Sequence, residues 1–129
     1  NKLSVCDIKG DRLTIIIGQP SISSSLLDLY KTLASKGFRV MYKSHPRELV
    51  KLGEGIETFH EGKFNVNDIY IGGFSTLLLE LAESGCSDVI AIKDFIPDYY
   101  DRVLLDFGIS LKTVDELKIS SDSGLLYEL

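Results

Sequence analysis

The chain has no tryptophan, one methionine and only two cysteines, and the last scarcity closes off two classes of protein at once. Cys6 and Cys86 stand eighty positions apart, with no Cys-x-x-Cys and no histidine beside them. Neither a disulfide scaffold nor a zinc site is expected from that spacing, and a reducing compartment is. Basic residues are also short: 14 Lys and Arg face 19 Asp and Glu, for a net charge of −5. Binding nucleic acid without regard to sequence needs a surplus of cations over the phosphates, so that class is excluded. Long apolar runs are missing too. No stretch reaches the roughly 18–20 residues that cross a bilayer as a helix, and no signal-peptide pattern opens the chain.

What is present is the material of one globular domain. The chain has 129 residues, 44% of them apolar, with six Phe and six Tyr, enough for a core and at the small end for a whole enzyme. It starts at Asn1 rather than Met, so a piece of a longer protein is expected. Residues 1–11 read as a linker or interdomain strand, and 12–129 as the domain.

Strand and helix patterns alternate along that domain. Arg-Leu-Thr-Ile-Ile-Ile-Gly (12–18) is a β-branched run closed by Gly and Pro, the pattern of a buried strand. Leu26, Leu27, Tyr30, Leu33 and Ala34 recur at helical spacing over 21–37, with Gly37 as the stop. Further strands are predicted over 38–44, 55–61, 68–73 and 88–93. Helices are predicted over 46–53, opened by Pro46, over 75–85, ended by Gly85, over 97–108, and at Thr-Val-Asp-Glu-Leu-Lys in the tail. Repeated βα units on short loops call for an α/β fold: a Rossmann-like parallel sheet with helices on both faces, joined by right-handed crossovers.

In such a sheet, ligands settle outside the carboxyl ends of the strands, and three of those ends stand out. After the first strand comes Gly18-Gln19-Pro20 and a serine run, which either caps the next helix or lines a crevice. After the fourth comes Gly72-Gly73-Phe74-Ser75-Thr76. Glycines there let another group approach the backbone, and a helix start with free N–H groups and two hydroxyls can cradle a phosphate, although Ser75 or Thr76 can equally cap that helix. Glu80, on the same helix, is a candidate for ribose hydroxyls or a solvated carboxylate. Neither a P-loop pattern nor Gly-x-Gly-x-x-Gly occurs. After the second strand comes Ser44-His45-Pro46-Arg47-Glu48. Pro46 keeps His45 extended, at the last rung of its strand. Its imidazole is either a structural group or a donor to a departing phosphate, and Lys43 and Arg47 beside it favour the anion. His60 lacks such company and reads as a surface residue. Asp94, Asp98 and Asp101 read as helix-surface carboxylates, so no metal site is expected. A phospho-accepting receiver domain is disfavoured, because the first strand ends in Gly18-Gln19 where an Asp is needed.

A strand, Lys-x-His-Pro-Arg-Glu, and some thirty residues on a second strand with Gly-Gly-Phe-Ser-Thr-Leu-Leu-Leu-Glu-Leu-Ala resembles the bacterial sialyltransferases of GT-B fold. The likeness is to the lipooligosaccharide sialyltransferase and capsular polysialyltransferase groups, over about residues 12–95. It implies that His45-Pro46 and Ser75-Thr76 hold the CMP of CMP-sialic acid, with His45 as catalytic residue. Gly18, Gln19, Arg47, Gly73, Phe74 and Glu80 join the substrate-binding set. It further implies an inverting, metal-independent transfer to a glycan hydroxyl, no cofactor, and a glycan acceptor bound by an N-terminal domain that this sequence does not contain. The place implied is the cytoplasm, peripheral to the inner membrane through the rest of the protein. On its own the domain is expected to bind nucleotide without turnover, and no general base can be placed on it. Transferases using CMP-Kdo or CDP-glycerol, nucleotide-sugar epimerases, and a non-catalytic flavodoxin-like interaction domain are the alternatives.

Overall fold

The structure, a computed structural model, describes residues 3–48, 52–60 and 62–123, the last five as backbone. In chain order the elements are β1 (Val5–Cys6), β2 (Thr14–Ile17), α1 (Ser23–Ser35), β3 (Val40–Lys43), β4 (Phe64–Asn65) and β5 (Ile69–Gly72). Then follow α2 (Thr76–Glu83), β6 (Asp88–Ile92), α3 (Asp101–Asp106), β7 (Ser110–Lys112) and α4 (Val114–Ser123). Five strands form one parallel sheet in the order β3-β2-β5-β6-β7, while β1 and β4 pair separately, also in parallel.

Both faces of the sheet are covered, which is why its central strands are apolar without alternation. Ile16, Ile69, Ile71, Ile90 and Ile92 face α1 and α4, where Leu26, Tyr30, Leu33 and Leu117 meet them. Ile15, Ile17, Tyr70, Val89 and Ala91 face α2 and α3, against Leu78, Leu81 and Leu104. The helix positions follow from handedness. The chain leaves β2 for β3 in one direction across the sheet and leaves β5 for β6 in the other. Crossovers of the same hand then put α1 and α2 on opposite faces. Gly37 and Gly85 close α1 and α2 with φ of 90° and 99°, left-handed values that side chains with a Cβ avoid.

Several elements differ from the sequence pattern. The strand expected over 55–61 is a single bridge: Tyr42 donates to the Glu57 carbonyl and Phe59 to the Tyr42 carbonyl, each at 2.8 Å. The turn at Glu54-Gly55 takes up its start, and only a short extended run is left to pair. The helix expected over 46–53 begins as a turn at Pro46-Arg47, and residues 49–51 lie outside the described residues. The first eleven residues are not only a connector, since Val5–Cys6 pairs with Phe64–Asn65 and Leu3 and Val5 pack on the α2/α3 face. The tail adds an edge strand, Ser110–Lys112, beside β6.

Two core phenols make stability pH-dependent. Burial pushes the Tyr70 hydroxyl far above its ordinary value, while that hydroxyl donates to the Asn65 carbonyl at 2.8 Å. Burial, then the Glu48 carboxylate, does the same to Tyr42. A raised folded-state pKa stabilises the fold below the unfolded value of about 10 and loses that stabilisation as pH climbs beyond it. Stability should therefore fall steadily above about pH 10. In an alkaline titration, tyrosinate absorbance from these two residues should rise together with the loss of helical circular dichroism, rather than ahead of it.

Candidate functional site

The strand order reverses between β2 and β5, and that switch point is where a crevice must open at the carboxyl ends. A cavity of about 440 Å³ lies there. Ile17, Gly18 and Gln19 form its floor at the end of β2. One wall is Lys43 to Pro46, where β3 ends, and the facing wall is Phe74 to Leu77 with Glu80, where β5 passes into α2. His45 and Ser75-Thr76 thus border the same space.

The His45 wall is a helical cap in miniature. The His45 carbonyl accepts from Glu48 N–H at 3.0 Å, and its Nδ1 accepts from Arg47 N–H at 2.9 Å. Glu48 reaches back to accept the His45 N–H through Oε1 at 2.6 Å. With Pro46 between them, the Glu48 bond is the return half of a capping box, while the His45 ring caps the second N–H, that of Arg47, rather than the third. Because Nδ1 accepts, it carries no proton, and the imidazole proton of the neutral ring belongs to Nε2. The other Glu48 oxygen, Oε2, accepts from Tyr42 Oη and from Ser23 Oγ, both at 2.6 Å. One carboxylate therefore ties the turn to β3 and to the start of α1.

On the facing wall, Ser75 is extended (φ −144°, ψ 154°) and its Oγ accepts from Leu78 N–H at 3.2 Å. Serine is thus the cap of α2, and its hydroxyl proton is left for another acceptor. The Leu79 N–H returns to the Ser75 carbonyl at 3.3 Å. The N–H groups of Thr76 and Leu77 precede any intrahelical carbonyl and point out of the helix start, at its positive end. Phe74 stacks on Tyr100, with centroids 4.0 Å apart and planes 16° from parallel. This aromatic pair anchors the loop that carries Ser75.

Two predicted residues lie off the cavity. Gly73 does not border it; the space its missing Cβ leaves is taken by the chain itself, since a Cβ there would stand 2.7 Å from Ile22 Cδ1 and 2.8 Å from Gln19 Oε1. Arg47 is exposed on the turn and contributes its backbone N–H to His45 rather than its guanidinium to the cavity. Gly18 does border the cavity, but its bareness makes room for Glu48 and Tyr42. Gln19 leans over Gly73 with its Oε1 buried and without a hydrogen-bond partner. His60 is exposed elsewhere. Asp98 and Asp101 share Lys93, at 2.9 Å and 2.5 Å, while Asp94 accepts from Val114 N–H at 3.1 Å, so the three aspartates are engaged locally.

Sequence reading passed over Glu48. Its signal was present: Glu three places after a capping residue, with Pro between, is a helix-start pattern. Ser44, Leu77 and Ile17 also border the cavity and had no signal beyond adjacency.

Among the described residues no group of three or more His, Cys, Asp or Glu side chains is placed to hold a metal, and no helix is long and apolar enough to cross a membrane. Comparison with protein-family models, curated proteins and solved structures found no match to this chain. A fold of this class hosts many chemistries, so function is argued from the site.

Proposed function

We propose that this chain is the donor-binding domain of a glycosyltransferase that moves sialic acid from CMP-sialic acid to a glycan hydroxyl with inversion. The observation that carries the reading is that His45 and the α2 start, thirty positions apart in sequence, border one cavity at the switch point of the sheet. In this reading the CMP phosphate lies between them. Nε2–H of His45 donates to a phosphate oxygen from one side. The hydroxyl of Ser75 and the N–H groups of Thr76 and Leu77 donate from the other. Glu80, on the same helix and the same cavity wall, accepts from ribose hydroxyls.

When the bond from the sugar's anomeric carbon to the phosphate oxygen breaks, its electron pair stays on the phosphate. The fixed donors stabilise that charge without rearranging. The acceptor oxygen bonds to the same carbon from the opposite face, and its proton leaves to a base outside this set of residues. The acceptor site and the membrane-peripheral, cytoplasmic setting belong to the rest of the proposed protein.

Calorimetric titration of the chain with CMP, UMP and UDP tests the donor. CMP is expected to bind most tightly. Preference for UDP would replace the sialyl reading with another nucleotide-sugar donor. Absence of binding at millimolar nucleotide would leave the flavodoxin-like interaction domain, whose strand order this sheet also has.

A further inference from the structure

We propose that Glu48 is the positioning residue of this site: it holds the turn after β3 so that His45 presents Nε2–H, in one tautomer and one direction, to an anion in the cavity. The proposal rests on the reading that His45 meets a phosphate, and it concerns a residue that touches the cavity only through others.

Three observations converge on it. The first is the reciprocal clasp, in which Glu48 Oε1 takes the His45 N–H while the His45 carbonyl takes the Glu48 N–H. With both ends of the turn closed, Arg47 N–H is directed at His45 Nδ1, and the ring cannot turn over without losing that bond. The second is the brace on Oε2 from Tyr42, a fully buried side chain of the sheet, and from Ser23 at the first residue of α1. Those two donors fix the carboxylate to rigid elements, so the turn inherits the position of the sheet instead of moving as a free loop. The third is Gly18, where any Cβ would strike the Glu48 carboxylate. The end of β2 is kept bare at the spot the carboxylate occupies.

A salt-bridge role is not what the geometry describes. Glu48 receives donors from a backbone amide, a phenol and a serine hydroxyl. Charge-assisted bonds from neutral donors orient a group strongly without placing a competing cation beside the anion site. A carboxylate that near a phosphate would by itself weaken anion binding, so its presence there calls for a compensating task. Orienting the histidine is that task.

The test uses the whole chain and two readouts. Long-range proton–nitrogen NMR reports the His45 tautomer in the ligand-free protein, at a pH where the imidazole is neutral. Calorimetry with CMP reports affinity. Wild type should show one tautomer, protonated at Nε2. Glu48→Ala should show a mixture of tautomers and CMP affinity lower by about tenfold or more, at a temperature where the variant remains folded. Glu48→Gln keeps an acceptor for the His45 N–H but turns an NH2 group toward Tyr42 and Ser23, so it should recover the tautomer and only part of the affinity. Should Glu48→Ala not fold, Glu48→Asp retains the charge but is one methylene too short to close the clasp, and the same changes are expected of it. A single Nε2–H tautomer in Glu48→Ala or, failing that, in Glu48→Asp overturns the proposal. If wild type binds no CMP, the donor reading falls, and the tautomer comparison still decides the role of Glu48.

Discussion

Replacing His45 by Asn should leave the fold intact and weaken CMP binding roughly ten- to hundredfold, the loss expected for a hydrogen bond to a charged group worth about 1.5–3 kcal/mol. Asparagine is among the best helix-capping residues, and its side-chain oxygen can take the Arg47 N–H that His45 Nδ1 takes now. The donor that disappears is Nε2–H. The melting temperature should therefore change little while phosphate recognition is lost. Cytidine, which has no phosphate, should bind both proteins alike, and that comparison isolates the contact. His45→Ala removes the cap as well, and about 0.5–2 kcal/mol of stability should go with it. CMP binding by His45→Asn at the wild-type level would remove His45 from the site.

Gly18→Ala should be the more damaging change, and its damage should run through Glu48. A Cβ at this position would stand 2.8 Å from Tyr42 Oη and 2.9 Å from Glu48 Cδ. Tyr42 is fully buried and held by β2 on one side and by the Thr58 bridge on the other, so it has little room to yield. Glu48 can swing away, but only by abandoning the His45 N–H, the phenol and the serine hydroxyl together. Overpacking of this kind costs about 1–3 kcal/mol, to be read from urea unfolding. Once Glu48 is already truncated, the methyl group has far less to displace. The double variant Gly18→Ala, Glu48→Ala should thus be less destabilised than the two single changes together predict, by about 0.5–3 kcal/mol. Strict additivity would show that Gly18 and Glu48 are independent, and that the bare end of β2 serves some other neighbour.

Much of the architecture is legible because it is local. Thr14–Ile17, Ile69–Gly72 and Asp88–Ile92 are buried strands, and burial on both faces writes itself as an unbroken apolar run. The helices Ser23–Ser35 and Thr76–Glu83 show their inner stripe and end at glycine. Ser110–Lys112 escaped because three half-exposed residues at a sheet edge carry no periodicity. The pairing of Val5–Cys6 with Phe64–Asn65 escaped because two residues a side, far apart in the chain, leave no pattern at all. At the site, His45, Ser75 and Thr76 were readable as polar groups at strand ends. Gly73 and Arg47, expected to bind substrate, lie off the cavity for related reasons. A glycine reports that space is needed but not which group fills it, and an arginine in a turn reports charge but not direction.

The order of residues alone determined the βα alternation, the parallel sheet between two helical layers, and the polar corners at the strand ends. All of these follow from the periods of strand and helix and from local turn chemistry. Only the tertiary structure decided that β2 lies between β3 and β5, which sets the turn after β3 opposite the start of α2 across one cavity. It also decided that the Glu48 carboxylate meets donors from Tyr42 and Ser23. Strand order depends on the hand of the crossovers and on burying both faces of the sheet at once. Those are constraints between distant segments, and no local period records them.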